Sequence, residues 1–218
     1  MRPVLTSHPF SSYCQKVLIA LYENGTDFET RTLGEDQQAY TDLVAAWPVK
    51  RFPMLADGKR HVHEASIIIE YLQVHYPGPV QLIPADADLA VEVRMLDRFF
   101  DNYVSTPQQK IVFNALREDE NRDPYGVQEA RDMLDAAYSW LEGHIENRQW
   151  AVGDVFTLAD CAAAPSLFYA DWSHPLGKRF PQVTAYRKRL LARPSFARAV
   201  DEARPYRSNF PLGAPDRD

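Results

Sequence analysis

Ser11-Ser12-Tyr13-Cys14-Gln15-Lys16 sets two hydroxyls, a phenol, a thiol and an amine at the opening of an apolar helical run, and Phe52-Pro53 and Glu64-Ala65-Ser66 follow it. This combination suits the handling of a thiol. If a strand ends near Thr6 and a helix starts near Ser12, Ser11 lies at or just before the N-cap, where backbone N–H groups point outward without partners. A small thiol held there gains from those groups, from a serine hydroxyl and from the helix dipole, all of which favour the thiolate. A free thiol of pKa ~8.5 is only about 3% ionised at pH 7, whereas a fall of ~2 units, worth about 2.7 kcal/mol, makes the thiolate the major form. Taken alone, Ser11 and Ser12 read first as plain caps of the helix.

Two further blocks extend the chemistry from a thiol to a peptide. A cis bond at Phe52-Pro53 would present the Phe52 backbone to an extended peptide, although a trans proline on an edge strand is the ordinary alternative. At Glu64-Ala65-Ser66, a helix start would let Glu64 take an ammonium while the N–H groups and hydroxyl of Ser66 take a carboxylate. Ser66 also suits simple N-capping.

The elements that would position these blocks follow from periodicity and punctuation. Val4 to Thr6 reads as a strand, and Val17, Leu18, Leu21 and Tyr22 form the buried stripe of a helix that Asn24-Gly25 stops. Asp27 to Thr32 alternates as a second strand, and Asp36 to Trp47 is a helical candidate broken by Pro48. Phe52 to Leu55 and His61 to His63 form a hairpin around Asp57-Gly58, and Ser66 to Tyr76 is helical before Pro77-Gly78-Pro79. Beyond Pro84 the strand signals cease. Leu89 to Val104, Gln128 to Ile145, Leu158 to Trp172 and Val183 to Ala192 read as helices. The expected organisation is a thioredoxin-like α/β domain over residues 1–78, a linker over 79–88 and an all-helical domain over 89–218.

Composition narrows the function classes. With 218 residues, 45% of them hydrophobic and 25% charged, the chain can bury a core without staples. The net charge of -6, with both signs interleaved, advertises neither nucleic acid nor an anionic membrane. No apolar stretch approaches the ~20 residues needed to span a bilayer, and no charged-then-apolar leader opens the chain. Cys14 and Cys161 stand in unrelated contexts that suit neither a metal site nor a disulfide framework. A reducing, cytoplasmic setting with no metal is expected.

With its three blocks in this order, the chain resembles the cytosolic glutathione transferase superfamily over nearly its whole length, in a zeta- or theta-like serine form. The resemblance implies that glutathione is the co-substrate and that Ser11 faces its sulfur. It implies that Ser12, Lys50, Phe52, Pro53, Glu64, Ala65 and Ser66 hold the tripeptide, with Phe52-Pro53 as the family's cis-proline dipeptide. The usual serine directly after the acid is replaced by Ala65, so for Ser66 only the backbone contribution carries over. Thr157-Leu158-Ala159-Asp160 matches the family's buried capping box, and Arg193-Pro194-Ser195-Phe196 its late helix junction, both structural. Pro48-Val49-Lys50-Arg51-Phe52-Pro53 looks zeta-like, but Cys14 lies two places beyond Ser12, as in glutaredoxins and dehydroascorbate reductases.

The implied function is transfer of the glutathione thiolate to an apolar electrophile, a detoxification chemistry. Phe10, Phe99, Tyr103, Phe113, Tyr169, Trp172 and Phe210 are the candidates for the electrophile's pocket between the domains. The family is usually a homodimer, in which Asp97 or Asp101 could reach the partner subunit's glutathione. Three alternatives stay open: a glutathione-dependent thiol reductase using Cys14, a zeta-like isomerase, and a non-catalytic binding protein of the same fold.

Overall fold

The computed structural model describes residues 2–218, and its first half builds a small mixed sheet around an apolar strand. Strand β1 (Val4–Ser7) pairs in parallel with β2 (Glu29–Thr32), while β3 (Met54–Asp57) runs antiparallel to β1 and β4 (Arg60–His63) antiparallel to β3. The order is β2-β1-β3-β4. A parallel pair needs a crossover, and α1 (Ser12–Glu23) supplies it. The sequence explains how α1 starts and stops. Ser11 caps it with extended backbone (φ -94°, ψ 124°), and Gly25 ends it at φ +57°. The Thr26 N–H then reaches the Leu21 carbonyl and the Gly25 N–H the Tyr22 carbonyl, the paired closure that a left-handed glycine permits.

The helix α2 (Gln37–Ala46) is capped by Asp36, and α3 (Ala65–His75) follows the hairpin directly. The hairpin turn differs from expectation by one residue. Asp57 pairs with Arg60, so the turn is Gly58-Lys59, with Gly58 at φ +61°. A glycine takes this conformation without the Cβ clash of other residues.

The second half is helical: α4 (Ala87–Phe99), α5 (Thr106–Ala115), α6 (Pro124–His144), α7 (Leu158–Ser173), α8 (Pro181–Leu191) and α9 (Pro194–Ala203). The helix expected over 89–104 is broken in character, because Phe100–Ser105 forms a wide turn in which the Thr106 N–H reaches back to the Asp101 carbonyl. Two helices escaped the sequence reading. Both α5 and α9 open with proline in their first turn, which breaks a preceding helix yet suits the start of a new one.

Helix α7 is buried along its whole length and packs against α1, so it is the common wall of both halves. Fully buried side chains such as Leu167 and Phe168 each contribute roughly 1.5–3 kcal/mol. Polar ties add direction to this packing. Gln15 donates to the Tyr169 hydroxyl (3.1 Å), and Arg193 grips Glu23 through two bonds of 2.7 and 2.6 Å. The segment between α3 and α4 is anchored, with Leu82 and Ile83 buried and the Gln73 side chain bonded to both backbone groups of Ile83.

Candidate functional site

A cleft of about 880 Å³ opens between the sheet-bearing half and the helical half. Ser11, Ser12 and Tyr13 at the start of α1, Phe52 and Pro53 before β3, and Glu64 and Ala65 at the start of α3 all line it. Three blocks far apart in sequence therefore converge on one cavity.

Ser11 is oriented by its own helix. Its hydroxyl oxygen accepts from the Cys14 N–H at 3.4 Å, its carbonyl accepts from the Gln15 N–H and its N–H donates to the His8 carbonyl at 3.0 Å. The hydroxyl oxygen is thus used as an acceptor while the residue lines the cleft. Cys14 lies beneath it. Its thiol is fully buried, accepts from the His8 N–H at 3.4 Å and is pushed up to about 11 by burial. Burial and protonation both disfavour reaction at this sulfur.

The Phe52–Pro53 bond is cis, and Phe52 lies just outside the strand ladder, which begins at Met54. Beside it, Glu64 adopts φ +68° and ψ +121°, outside the favoured backbone regions for a side-chain-bearing residue. Such conformations cost on the order of 1–3 kcal/mol and concentrate at ligand clamps. Glu64 is the N-cap residue of α3 but gives it no side-chain cap. The first N–H groups of α3, at Ala65 and Ser66, lie in the helix's opening turn, where no intrahelical acceptor exists.

Several of the expected residues have other partners in the structure. The Ser66 hydroxyl faces inward instead of meeting a ligand: it donates to Asp97 (2.8 Å), accepts from Lys16 (2.9 Å) and contacts Arg98. Asp97 and Asp101 are likewise paired with Lys16, at 2.5 and 2.9 Å. Lys50, at φ +59°, stands outside the cleft wall, and the adjacent Arg51 lines it.

Of the seven aromatic candidates, Phe10, Phe113, Tyr169 and Phe210 line the cleft. Trp172 is one layer behind, packed on Phe10 and Phe210 with ring centroids 6.4 and 5.3 Å away. Phe99 and Tyr103 belong elsewhere, 5.8 Å apart in a cluster where Phe99 also packs on Trp140. Arg98, Asp101 and Asn102, at regular three-and-four spacing, face the cleft, and Phe99 and Tyr103 fall on the neighbouring face.

The sequence reading also missed Trp47, Gln109 and Val112, and gave Tyr13 no role. Gln109, Val112, Phe113 and Leu116 recur at three-and-four spacing across α5 and its end, a signal that was readable once Pro107 was taken as a helix start. Tyr13 is pushed up to about 12, first by burial and then by the charge of Asp101, so it remains a protonated donor at neutral pH. The cleft therefore has an apolar wall of Phe10, Val112, Phe113 and Phe210 and a polar floor of Tyr13, Asn102, Thr106 and Gln109.

Residues 5–80 match the N-terminal domain of glutathione S-transferases and residues 96–194 their C-terminal domain. A Fusarium protein named glutathione S-transferase-like protein LUC7 is 30% identical over 81% of this chain and 82% of its own. The rat maleylacetoacetate isomerase is 26% identical over 89% of this chain and 90% of its own. Among solved structures, a glutathione S-transferase from Methylobacterium radiotolerans in complex with glutathione sulfonate has a TM-score of 0.80 at 30% identity, covering 92% of this chain and 95% of that one.

Proposed function

This chain belongs to the glutathione S-transferase family, and from that premise we propose that it binds glutathione in the interdomain cleft and transfers the glutathione thiolate to an electrophile. The observation carrying this reading is the convergence of the α1 start, Phe52 and the α3 start on one cavity. A γ-glutamyl-cysteinyl-glycine chain needs three kinds of partner in that order. The α1 N-terminus and Ser11 would stabilise the sulfur anion, the Phe52 backbone would pair with the cysteinyl unit, and Ala65, Ser66 N–H and Glu64 would take the carboxylate and ammonium of the γ-glutamyl end. The solved relative from Methylobacterium, bound to glutathione sulfonate, supports the choice of tripeptide.

In this mechanism the thiolate attacks the electrophilic carbon, a carbon–sulfur bond forms, and the leaving group departs or the electron pair moves onto a conjugated acceptor. Ser11 lowers the barrier by favouring the thiolate before attack. The apolar wall holds the electrophile, and the polar floor orients its hydrogen-bonding end. The buried thiol of Cys14 counts against the reductase alternative.

An isomerase is the second reading, favoured by the similarity to the rat maleylacetoacetate isomerase. It differs in the fate of the adduct: an isomerase expels the sulfur after bond rotation, a transferase keeps it. Mass analysis of products from a conjugated cis-enone with glutathione separates the two. Calorimetry tests the shared premise, since no glutathione binding at millimolar concentration would overturn both.

A homodimer in a cytoplasmic setting completes the proposal. Ile67 and Val74 on α3 and Val91 and Met95 on α4 are exposed apolar residues, and Arg94 ties the two helices through Glu70. Such a paired face suits a second copy of the chain. Both cysteines are buried and free, which fits a reducing compartment.

A further inference from the structure

Lys16 has no role in the chemistry described above, yet it is only 1% exposed and its ammonium is the centre of a buried polar cluster. It pairs with Asp97 at 2.5 Å and Asp101 at 2.9 Å and donates to the Ser66 hydroxyl at 2.9 Å. Ser66 in turn donates to Asp97 at 2.8 Å. At the edge of the cleft, Arg98 bonds to Asp97 at 2.6 Å and to Asp101 at 3.1 Å. Two cations therefore balance two carboxylates.

Stability alone does not explain such a cluster. Replacing buried ion pairs with apolar side chains of similar size is often neutral or stabilising, and their best-attested use is to fix register. The geometry here names the register. Lys16 lies five residues after Ser11 on α1, Ser66 is the second residue of α3, and Asp97 and Asp101 flank the junction of α4 with the wide turn. Among the described residues, the Lys16–Ser66 bond is the sole side-chain hydrogen bond joining α1 to α3. Apolar contacts between these helices tolerate small rotations, whereas an ammonium held by oxygens of three side chains does not.

We propose that Lys16 is a positioning residue for glutathione: by gripping Ser66 and the Asp97–Asp101 pair, it fixes the separation of the α1 and α3 N-termini that hold opposite ends of the tripeptide. This inference rests on the glutathione reading. Lys16 itself touches no ligand. Its effect is felt only by a thiol that spans both termini, and a thiol lacking the γ-glutamyl group escapes it.

The experiment compares glutathione with cysteinylglycine as thiol co-substrates at fixed electrophile. Lys16→Met leaves two buried carboxylates against one cation and risks misfolding, so the charge-balanced pair Lys16→Met with Asp97→Asn is measured beside it, together with Lys16→Arg. In the double variant kcat/KM with glutathione falls about tenfold, mainly through KM, while that with cysteinylglycine stays within about twofold; Lys16→Arg keeps most of the glutathione preference. Equal losses for both thiols, or a glutathione preference unchanged in the double variant, would overturn the inference alone. A wild-type protein with no preference for glutathione over cysteinylglycine would overturn the glutathione reading and the inference with it.

Discussion

Two helix N-termini of this molecule face opposite fates. At α7, Thr157 and Asp160 close the helix completely: the Asp160 carboxylate accepts from the N–H and hydroxyl of Thr157, from the Ala151 N–H and from the Tyr186 hydroxyl, at 2.6–3.2 Å. Burial pushes the Asp160 carboxyl up, but four hydrogens already aim at its two oxygens and the ionised form is the one they fit. At α1, neutral Ser11 caps a single N–H at 3.4 Å and the helix opens into the cleft. A terminus that carries its own anion is part of the scaffold. One with a neutral cap and a cavity in front of it is left for an anion from outside.

Removing the internal anion is the severest way to break this contrast. Asp160→Ala strands four buried donors around the start of α7, each worth roughly 1–3 kcal/mol, and we expect a loss of at least about 3–5 kcal/mol in denaturant unfolding. The molecules that remain folded should bind glutathione with wild-type affinity. A comparable loss of affinity in the folded fraction would show that the two termini are not independent.

The converse change should reverse the pattern. Ser11→Ala is expected to lower kcat/KM with glutathione about 10–100-fold, or roughly 1.4–2.7 kcal/mol of transition-state stabilisation. Its stability cost is that of one half-buried cap, about 1 kcal/mol. The pH at which activity reaches half its maximum should move upward, because the thiolate has lost a donor. Stability falling by as much as in Asp160→Ala, with the pH profile unmoved, would reduce Ser11 to a cap like any other.

Cys14 sharpens the comparison by what it should not do. With its thiol pushed up to about 11, only on the order of one molecule in 10⁴ carries the thiolate at pH 7. Alkylating reagents at pH 7.5 should leave Cys14 unlabelled in the folded protein and label it on unfolding. Cys14→Ser should keep transferase activity within about twofold. Loss of activity with rapid native-state labelling would instead favour the thiol reductase.

The contrast was only partly legible in the sequence. Thr157 and Asp160 could be read as a capping box because the three-residue spacing fixes the bonding. Ser11, Phe52 and Glu64 could be picked out as polar or turn-forming residues, but their meeting depends on β1 lying between β2 and β3, an order that element counting does not determine. The buried state of Ser66 and Asp97 was out of reach for another reason. Nothing in the sequence marks Lys16 as buried, and only its position under α3 and α4 turns those side chains inward. Phe99 and Tyr103 share a helical face next to the one that meets the cleft, and aromatic type alone does not say which face that is.

The smallest expected effect concerns the loop that carries Ser11. His8 Nδ1 accepts from the Phe10 N–H at 3.1 Å, and the ring lies against Tyr206 with centroids 4.8 Å apart. Only the neutral imidazole can accept at Nδ1. Burial holds the pKa below the ordinary histidine value, opposed by the charge of Glu35. The folded state therefore binds its proton less readily than the unfolded chain, so the stability that neutral His8 contributes is complete above about pH 6.5 and declines as the pH falls through the lower folded value. His63, also held low by burial, adds to the same slope. Unfolding free energy measured at pH 7.5 and 5.5 should show this decline, with His8→Gln removing part of it and His63→Gln the remainder. Because the α1 terminus is tied through His8 and the α7 terminus through a carboxylate, mild acid should loosen the open terminus first. Amide exchange near Ser11 rising at pH 5.5 while that near Thr157 holds is the expected result, and equal exchange at both would remove the distinction.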